Sequence, residues 1–261
     1  MARNTNIQWT QKTWNPWHGC HKVSEGCRNC YMFTDKERFG QNPNIVVRSK
    51  TTFRDPLTWP KVPTLCFTCS WSDWLIEEAD PWRDEAYDVI RRTPWVTYQI
   101  LTKRIERAAG RVPDPPLANI WLGVSVESQK TLRRIELLRH SSATLDFISF
   151  EPVLEDLEKI DLRGIDWAII GGESGPNARR CDITWIRHLV QQCRESGVAV
   201  FIKQLGAKPR DGETLIRLKD RKGGDPNEWP PDLRVREWPK TMNAETNQGW
   251  FDGFTQPSEG R

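Results

Sequence analysis

The chain has 261 residues, 28% of them charged, and a formal net charge of +3. That length suits one large domain or two small ones, with a full core and no need of cross-links. Charge this nearly balanced does not by itself point to nucleic acid, and no apolar run reaches the roughly eighteen residues of a membrane span. The opening "MARNTNIQWTQ" lacks an apolar signal region, so the expectation is a cytoplasmic protein with reduced thiols and no disulfide framework.

A first strand is expected somewhere in residues 7–17. It is followed by "HGCHKVSEGCRNCYM", which places Cys20, Cys27 and Cys30 within eleven residues, and by the helical segment "YMFTDKERF". Six apolar runs then follow: "TLCFTC" (64–69), "WVTYQIL" (95–101), "NIWLGVSV" (119–126), "LDFISF" (145–150), "DWAIIGG" (166–172) and "VAVFIKQ" (198–204). Most are near-continuous rather than alternating, as in strands buried on both faces of a parallel sheet. Between them lie helical patterns. "PWRDEAYDVIRRT" puts Trp82, Ala86, Val89 and Ile90 on one face, "SQKTLRRIELLRH" aligns Leu132, Ile135 and Leu138, and "TWIRHLVQQCRESG" stops at Gly197. Repeated βα units with about seven strands predict an α/β fold, a partial or full TIM-type (β/α) barrel over residues 1–205. An open doubly wound sheet is the alternative. Residues 206–242 read as a Gly-, Pro- and charge-rich extension in which "TLIRLKD" is a strand of a hairpin or cap, and 243–261 as a loose tail.

The cysteine spacing is C-x6-C-x2-C. Three thiolates suit a [4Fe–4S] cluster with one iron open, whereas structural zinc wants four closed ligands. Gly19 and Gly26 would let the backbone approach such a group. Cys66 and Cys69 repeat the C-x2-C spacing, so a zinc site shared with Cys27 and Cys30 stays open as an alternative. Their opposite parity on a strand argues for burial instead. Cys193 lies on a helical stripe and reads as core.

In a parallel barrel the active site lies at the C-terminal ends of the strands. Those ends carry Ser70, Ser72 and Asp73; Lys103 and Arg104; Ser125 and Glu127; Glu151; Glu173 and Ser174; Lys203 and Gln204. Ser72, Asp73 and Ser128 read equally as helix caps. Glu151, Glu173 and Lys203 read as pocket residues, with Glu151 and Lys203 the catalytic candidates. Gly171 and Gly172 would leave a backbone edge open to a ligand, with Glu173 placed to accept from an ammonium group. Arg179 and Arg180 follow as anion partners or surface charge.

"TWNPWHGCHKVSEGCRNCYM", "LTKR", "WLGVSVES", "FEPVL", "IIGGESGPNARRCD", "FIKQLG" and "DRKGGDPNEWPPDLRVREWP" together resemble the phage gene-product 37/68 family, in order over residues 7–240. Members of that family are similar to radical SAM proteins. The resemblance implies that Cys20, Cys27 and Cys30 hold a [4Fe–4S] cluster whose fourth iron binds S-adenosyl-L-methionine (SAM). Reductive cleavage would then give a 5′-deoxyadenosyl radical that abstracts hydrogen from a substrate. It further implies an electron donor, a phage or host partner protein, and nucleic acid only as a substrate, in the form of a base or nucleotide.

The common radical SAM spacing is C-x3-C-x2-C, and its Gly-Gly-Glu turn ends the second strand. Here the first gap is six, and Gly171–Gly172–Glu173 ends the sixth strand. Ser70 to Asp73, at the second strand end, is therefore a competing site for the SAM amine. Lys103, Ser125 and Glu127 complete the cofactor-binding candidates, and Trp17 and Trp71 are placed to flank adenine. Two other readings remain: a non-enzymatic zinc- or cluster-stabilised protein that binds a partner, and a nucleic-acid binder using "IRLKDRK".

Overall fold

The seven expected strands assemble into one parallel sheet in the computed structural model, which describes residues 5–141 and 143–240. They are β1 (Lys12–Trp14), β2 (Thr64–Thr68), β3 (Val96–Thr102), β4 (Ile120–Ser125), β5 (Leu145–Phe150), β6 (Trp167–Gly171) and β7 (Ala199–Gln204). Each strand pairs in parallel with its predecessor, so spatial order follows chain order. A doubly wound sheet needs a reversal of that order. Among the described residues β1 and β7 do not pair, so the sheet is a partial barrel.

Four helices form where the apolar stripes predict them: α1 (Tyr31–Arg38), α2 (Asp80–Arg91), α3 (Arg133–Arg139) and α4 (Ile183–Glu195). Strict alternation fails twice. The β3–β4 connection holds only a 3₁₀ turn at Ile105–Arg107, and the β5–β6 connection has no helix. Prolines 113, 115 and 116 in the first and Pro152 in the second deny helical hydrogen bonds. Ile105, Val153, Leu157, Ile160 and Leu162 nevertheless bury against the outer face, so irregular chain covers the sheet where helices would.

Side-chain parity divides the sheet into two faces. Tyr98, Ile100, Leu122, Val124, Ile148, Ala168, Ile170, Val200 and Ile202 point outward into the layer of α2, α3 and α4. Leu65, Trp121, Leu145, Phe147, Trp167, Ile169 and Phe201 point inward, where they pack with Trp9. The inner cluster is strongly aromatic: Trp9 lies 4.6 Å from Phe67 and Trp167 6.0 Å from Phe147, centroid to centroid. This cluster fills the barrel at the N-terminal ends of its strands.

The extension closes the open edge. Ile202 N donates to Val235 O at 2.9 Å and Glu237 N to Val200 O at 2.7 Å, laying residues 235–237 along β7. The edge hydrogen bonds of β7 are thus partnered. Arg236 then reaches Gln8 Oε1 at 2.9 Å, joining the extension to the segment before β1. Trp238 stacks on Trp167 at 5.2 Å, while Trp229 and Leu233 enter the outer core. Pro209–Asp211 pairs antiparallel with Thr214–Leu215, the hairpin expected of "TLIRLKD". The tail expected over 243–261 lies outside the described residues.

Candidate functional site at the polar mouth of the partial barrel

The inward face changes chemistry along the strands. Past the aromatic floor, the next inward positions are Ser125, Ser149 and, near the end of β7, Lys203, and beyond the ends of the other strands come Lys103, Glu127, Glu151 and Glu173. Strand parity therefore brings together charged residues far apart in sequence. Ser125 is buried, and its carbonyl accepts from Arg134 NH1 at 2.7 Å.

Three carboxylates organise the mouth, and each has a cationic partner. Glu127 is 1% exposed. It accepts from Lys103 Nζ, from Arg134 NH1 at 3.0 Å and from Ser24 Oγ at 2.8 Å. Burial pushes its carboxyl up, but Lys103 and Arg134 outweigh burial and hold it below the ordinary range. Glu151 accepts from Lys203 Nζ at 2.8 Å. Glu173 accepts from Arg179 N, Nε and NH2 and from Asn29 Nδ2. Burial opposes ionisation of Glu173, and the Arg179 and Asn29 hydrogen bonds override it.

Two of these acids also hold the cysteine loop. Ser24 and Asn29 both come from that loop, so Glu127 and Glu173 pin it over the strand ends. Gly26 makes the contact possible, since a Cβ there would lie 2.4 Å from Glu127 Cγ. The Gly19 backbone, at φ +98°, lies against Ile45 O. Both glycines therefore serve chain-to-chain packing rather than an approach to an open ligand space.

All seven cysteines are free. Burial, with Asp73 adding, pushes the Cys20 thiol up to about 12, against the pull of Arg104. Burial likewise raises Cys30. Cys27 contributes to both rises, so its sulfur is within electrostatic reach of each. Arg104 NH1 donates to Cys20 Sγ at 3.6 Å, and Ser24 Oγ lies 3.8 Å from Cys27 Sγ. Among the described residues no three His, Cys, Asp or Glu side chains surround a point where one metal ion would sit. That geometry does not supply the four-ligand shell that structural zinc requires. Cys66 faces the outer layer from β2, and Cys69 follows it at φ 64°, both fully packed. Three free thiols on one loop have the donor chemistry of a thiolate-bound iron–sulfur cluster. Thiol donors on one loop, beside an N–H donor, are the right chemistry for that group.

Several expected roles change. Asp73 is a packing hub: its carboxylate accepts from Leu75 N, Thr102 Oγ1 and Lys103 N and pairs with Arg104 at 3.1 Å. Ser70 Oγ is taken up with Asn15. Gly171 and Gly172 leave no open backbone edge. A Cβ on Gly171 would lie 2.8 Å from Glu151 Oε1, and one on Gly172 would lie 2.3 Å from Leu205 O. Gly172 N and O are both bonded to Gln204. Trp17 is core, packed on Trp74 at 4.8 Å with its indole N–H on Asp73 O, while Trp71 remains half-buried. Arg134, Ser24 and Asn29 were not singled out from sequence. An arginine beside the Leu132–Ile135–Leu138 stripe is the one signal that pointed to Arg134.

Fold and site together define an open parallel (β/α) barrel with a charged mouth under a three-cysteine loop. The chain belongs to the family described as "Protein of unknown function (DUF5131)", whose model matches residues 4–250. No curated protein matches it. Among solved structures it is similar to a spore photoproduct lyase complexed with dinucleoside spore photoproduct, at 13% identity and a TM-score of 0.43, over 69% of this chain and 59% of that one. The chain thus spans about three fifths of that protein's length.

Proposed function

We propose that this protein is a radical SAM-type enzyme, with Cys20, Cys27 and Cys30 as the ligands of a [4Fe–4S] cluster. The observation that carries the reading is the placement of three free thiols on one loop pinned by Glu127 and Glu173 over the strand ends. When bound, the cluster supplies one-electron cleavage of SAM to a 5′-deoxyadenosyl radical.

The protein's own residues supply the rest. The aromatic floor excludes water from below, which a reactive radical requires. Lys103, Glu127 and Arg134 form a fixed, hydrogen-bonded charge cluster at one side of the mouth. Glu151 and Lys203 form a second ion pair at the mouth, 2.8 Å apart, with Ser149 Oγ 3.4 Å from the other Glu151 oxygen. That pair can orient a polar substrate or exchange a proton with it. Among the cofactor-binding candidates Lys103, with a side chain 20% exposed, is more open to SAM than the buried Ser125, Glu127 and Asp73 or the covered Gly171–Gly172 edge.

The same proposal includes kinship with the phage gene-product 37/68 family, a cytoplasmic setting, an external electron donor and a nucleic-acid base or nucleotide as substrate. The substrate class rests on the motif resemblance alone. No helix among the described residues is long and apolar enough to cross a membrane. The test is anaerobic purification with iron and sulfide analysis, followed by reductant-dependent release of 5′-deoxyadenosine from SAM. About four irons per chain with matching sulfide is expected; one zinc and no sulfide would sink the proposal.

A further inference from the structure

Arg104 sits at the end of β3, 7% exposed, and its guanidinium is spent entirely within the site. NH1 is shared between Asp73 Oδ2 at 3.1 Å and Cys20 Sγ at 3.6 Å, while NH2 donates to His21 O at 2.8 Å. Its backbone N–H is held by Thr102 Oγ1 at 2.9 Å. Asp73 is itself locked by Leu75 N, Thr102 Oγ1 and Lys103 N. The guanidinium therefore cannot swing away from the Cys20 sulfur without breaking a buried ion pair.

Neither of the other two cysteines has a guanidinium fixed on its sulfur, although the Lys103 charge and the Met32 and Phe33 backbone N–H groups act on Cys30. Cys27 has only the Ser24 hydroxyl at 3.8 Å, and that hydroxyl donates to Glu127. Cys30 is the N-cap residue of α1, with no side-chain cap bond. One sulfur of the three thus faces a fixed, buried positive charge.

We infer that Arg104 is the positioning residue for Cys20 and sets the reduction potential of the group that the three cysteines hold. The inference rests on the cluster reading proposed above. Uptake of one electron makes a thiolate-bound cluster one unit more negative. A cation and an N–H donor fixed at one sulfur stabilise that reduced form over the oxidised one. Buried charges act strongly because water does not screen them. Arg104 also fixes the His21 carbonyl, so it holds the backbone beside Cys20 as well as the sulfur.

The experiment is a reductive titration of the anaerobically reconstituted full chain, with dithionite and redox mediators, read by absorbance and EPR. Wild type, Arg104→Gln and Arg104→Lys are compared, with Arg163→Gln as an exposed-charge control. In Arg104→Gln the oxidised-to-reduced ratio at a given poise is expected to rise at least tenfold, a fall of about 59 mV for a one-electron couple. Arg104→Lys keeps the charge but loses the fork, so it should shift the same way by less. Arg163→Gln should match wild type.

The potential is read on the clustered fraction alone, so partial loading does not blur it. A wild-type potential in clustered Arg104→Gln overturns the inference and leaves the cluster reading standing. Should Arg104→Gln fail to fold by circular dichroism, Arg104→Met is the second charge-removing variant, and a wild-type potential in it overturns the inference equally. Wild-type protein that takes up neither iron nor sulfide overturns both together.

Discussion

Glu151 and Lys203 meet at 2.8 Å although β5 and β7 are not neighbours in the sheet. The strand between them ends in Gly171, where a Cβ would sit 2.8 Å from Glu151 Oε1. The pair can close over β6 only because that position carries no side chain. Its neighbour Gly172 abuts the backbone at Leu205 O instead, at 2.3 Å.

These two glycines should therefore respond differently to alanine. In Gly171→Ala the obstructed atom is the end of a flexible side chain, so stability should fall by less than about 1 kcal/mol while the Glu151–Lys203 pair opens and turnover drops. In Gly172→Ala the obstacle is backbone, and the expected loss is about 2–3 kcal/mol. Thermal melts separate the two. Equal melting temperatures would contradict the assignment.

Iron content should track three cysteines and no others. Cys20→Ala, Cys27→Ala and Cys30→Ala are each expected to lose most of the iron and sulfide, whereas Cys193→Ala, in the outer core, should keep both. Burial holds Cys20 protonated at neutral pH, so loading must release a proton and should strengthen as pH rises from 6 to 8. Proton release on reconstitution can be followed in weakly buffered solution; loading indifferent to pH would count against thiolate ligation by Cys20.

Glu127→Gln leaves Lys103 and Arg134 without their buried counter-charge, at a cost of about 3–5 kcal/mol. The Glu127 carboxyl is held below its ordinary value by those two cations against the effect of burial. Its stabilisation is thus present above the ordinary carboxylate range and is lost as pH falls through the depressed value. The melting-temperature gap between wild type and Glu127→Gln should be widest near pH 7 and narrow as pH falls below the ordinary carboxylate range. A gap independent of pH would contradict the ion-pair account.

Asp146 has the opposite sign. On the outer face of β5, burial and then repulsion from Asp166 push its carboxyl up to about 7. Its Oδ1 is buried without a hydrogen-bond partner. Its cost is absent below the ordinary carboxylate value, grows as pH rises from there to about 7, and is constant above. Asp146→Asn should therefore stabilise the protein by on the order of 1–2 kcal/mol at pH 8 and by less at pH 5. Denaturant melts at the two pH values give the comparison.

The aromatic floor packs the inner face of the sheet. Phe147 touches Trp9 and Trp167, and its ring lies over Gly123, where a Cβ would come within 2.5 Å. Phe147→Ala should cost about 3–5 kcal/mol, since the surrounding indoles cannot collapse into the space. Gly123→Ala should destabilise by overpacking the same ring, and chemical denaturation measures both.

Much of this architecture was legible in the chain alone. Six near-continuous apolar runs suit burial on both faces of a parallel sheet, and the helical patterns between most of them pointed to βα units. The strand-end rule named Lys103, Glu127, Glu151, Glu173 and Lys203 because parity projects residues beyond the inward apolar positions to one mouth.

What only the tertiary structure decided is which polar groups remain available. Asp73 looked like a ligand contact, yet four local donors consume it. Gly171 and Gly172 looked like an open edge, yet Glu151 and Leu205 occupy their faces. Trp17 looked like a stacking surface, yet it lies in the core. Pairings such as Glu127 with Arg134, or Arg104 with Cys20, join residues on different elements. The sequence determines which residues reach the mouth through the two-residue period of a strand. The distances between neighbouring strands and loops, which no local pattern encodes, decide which of them pair.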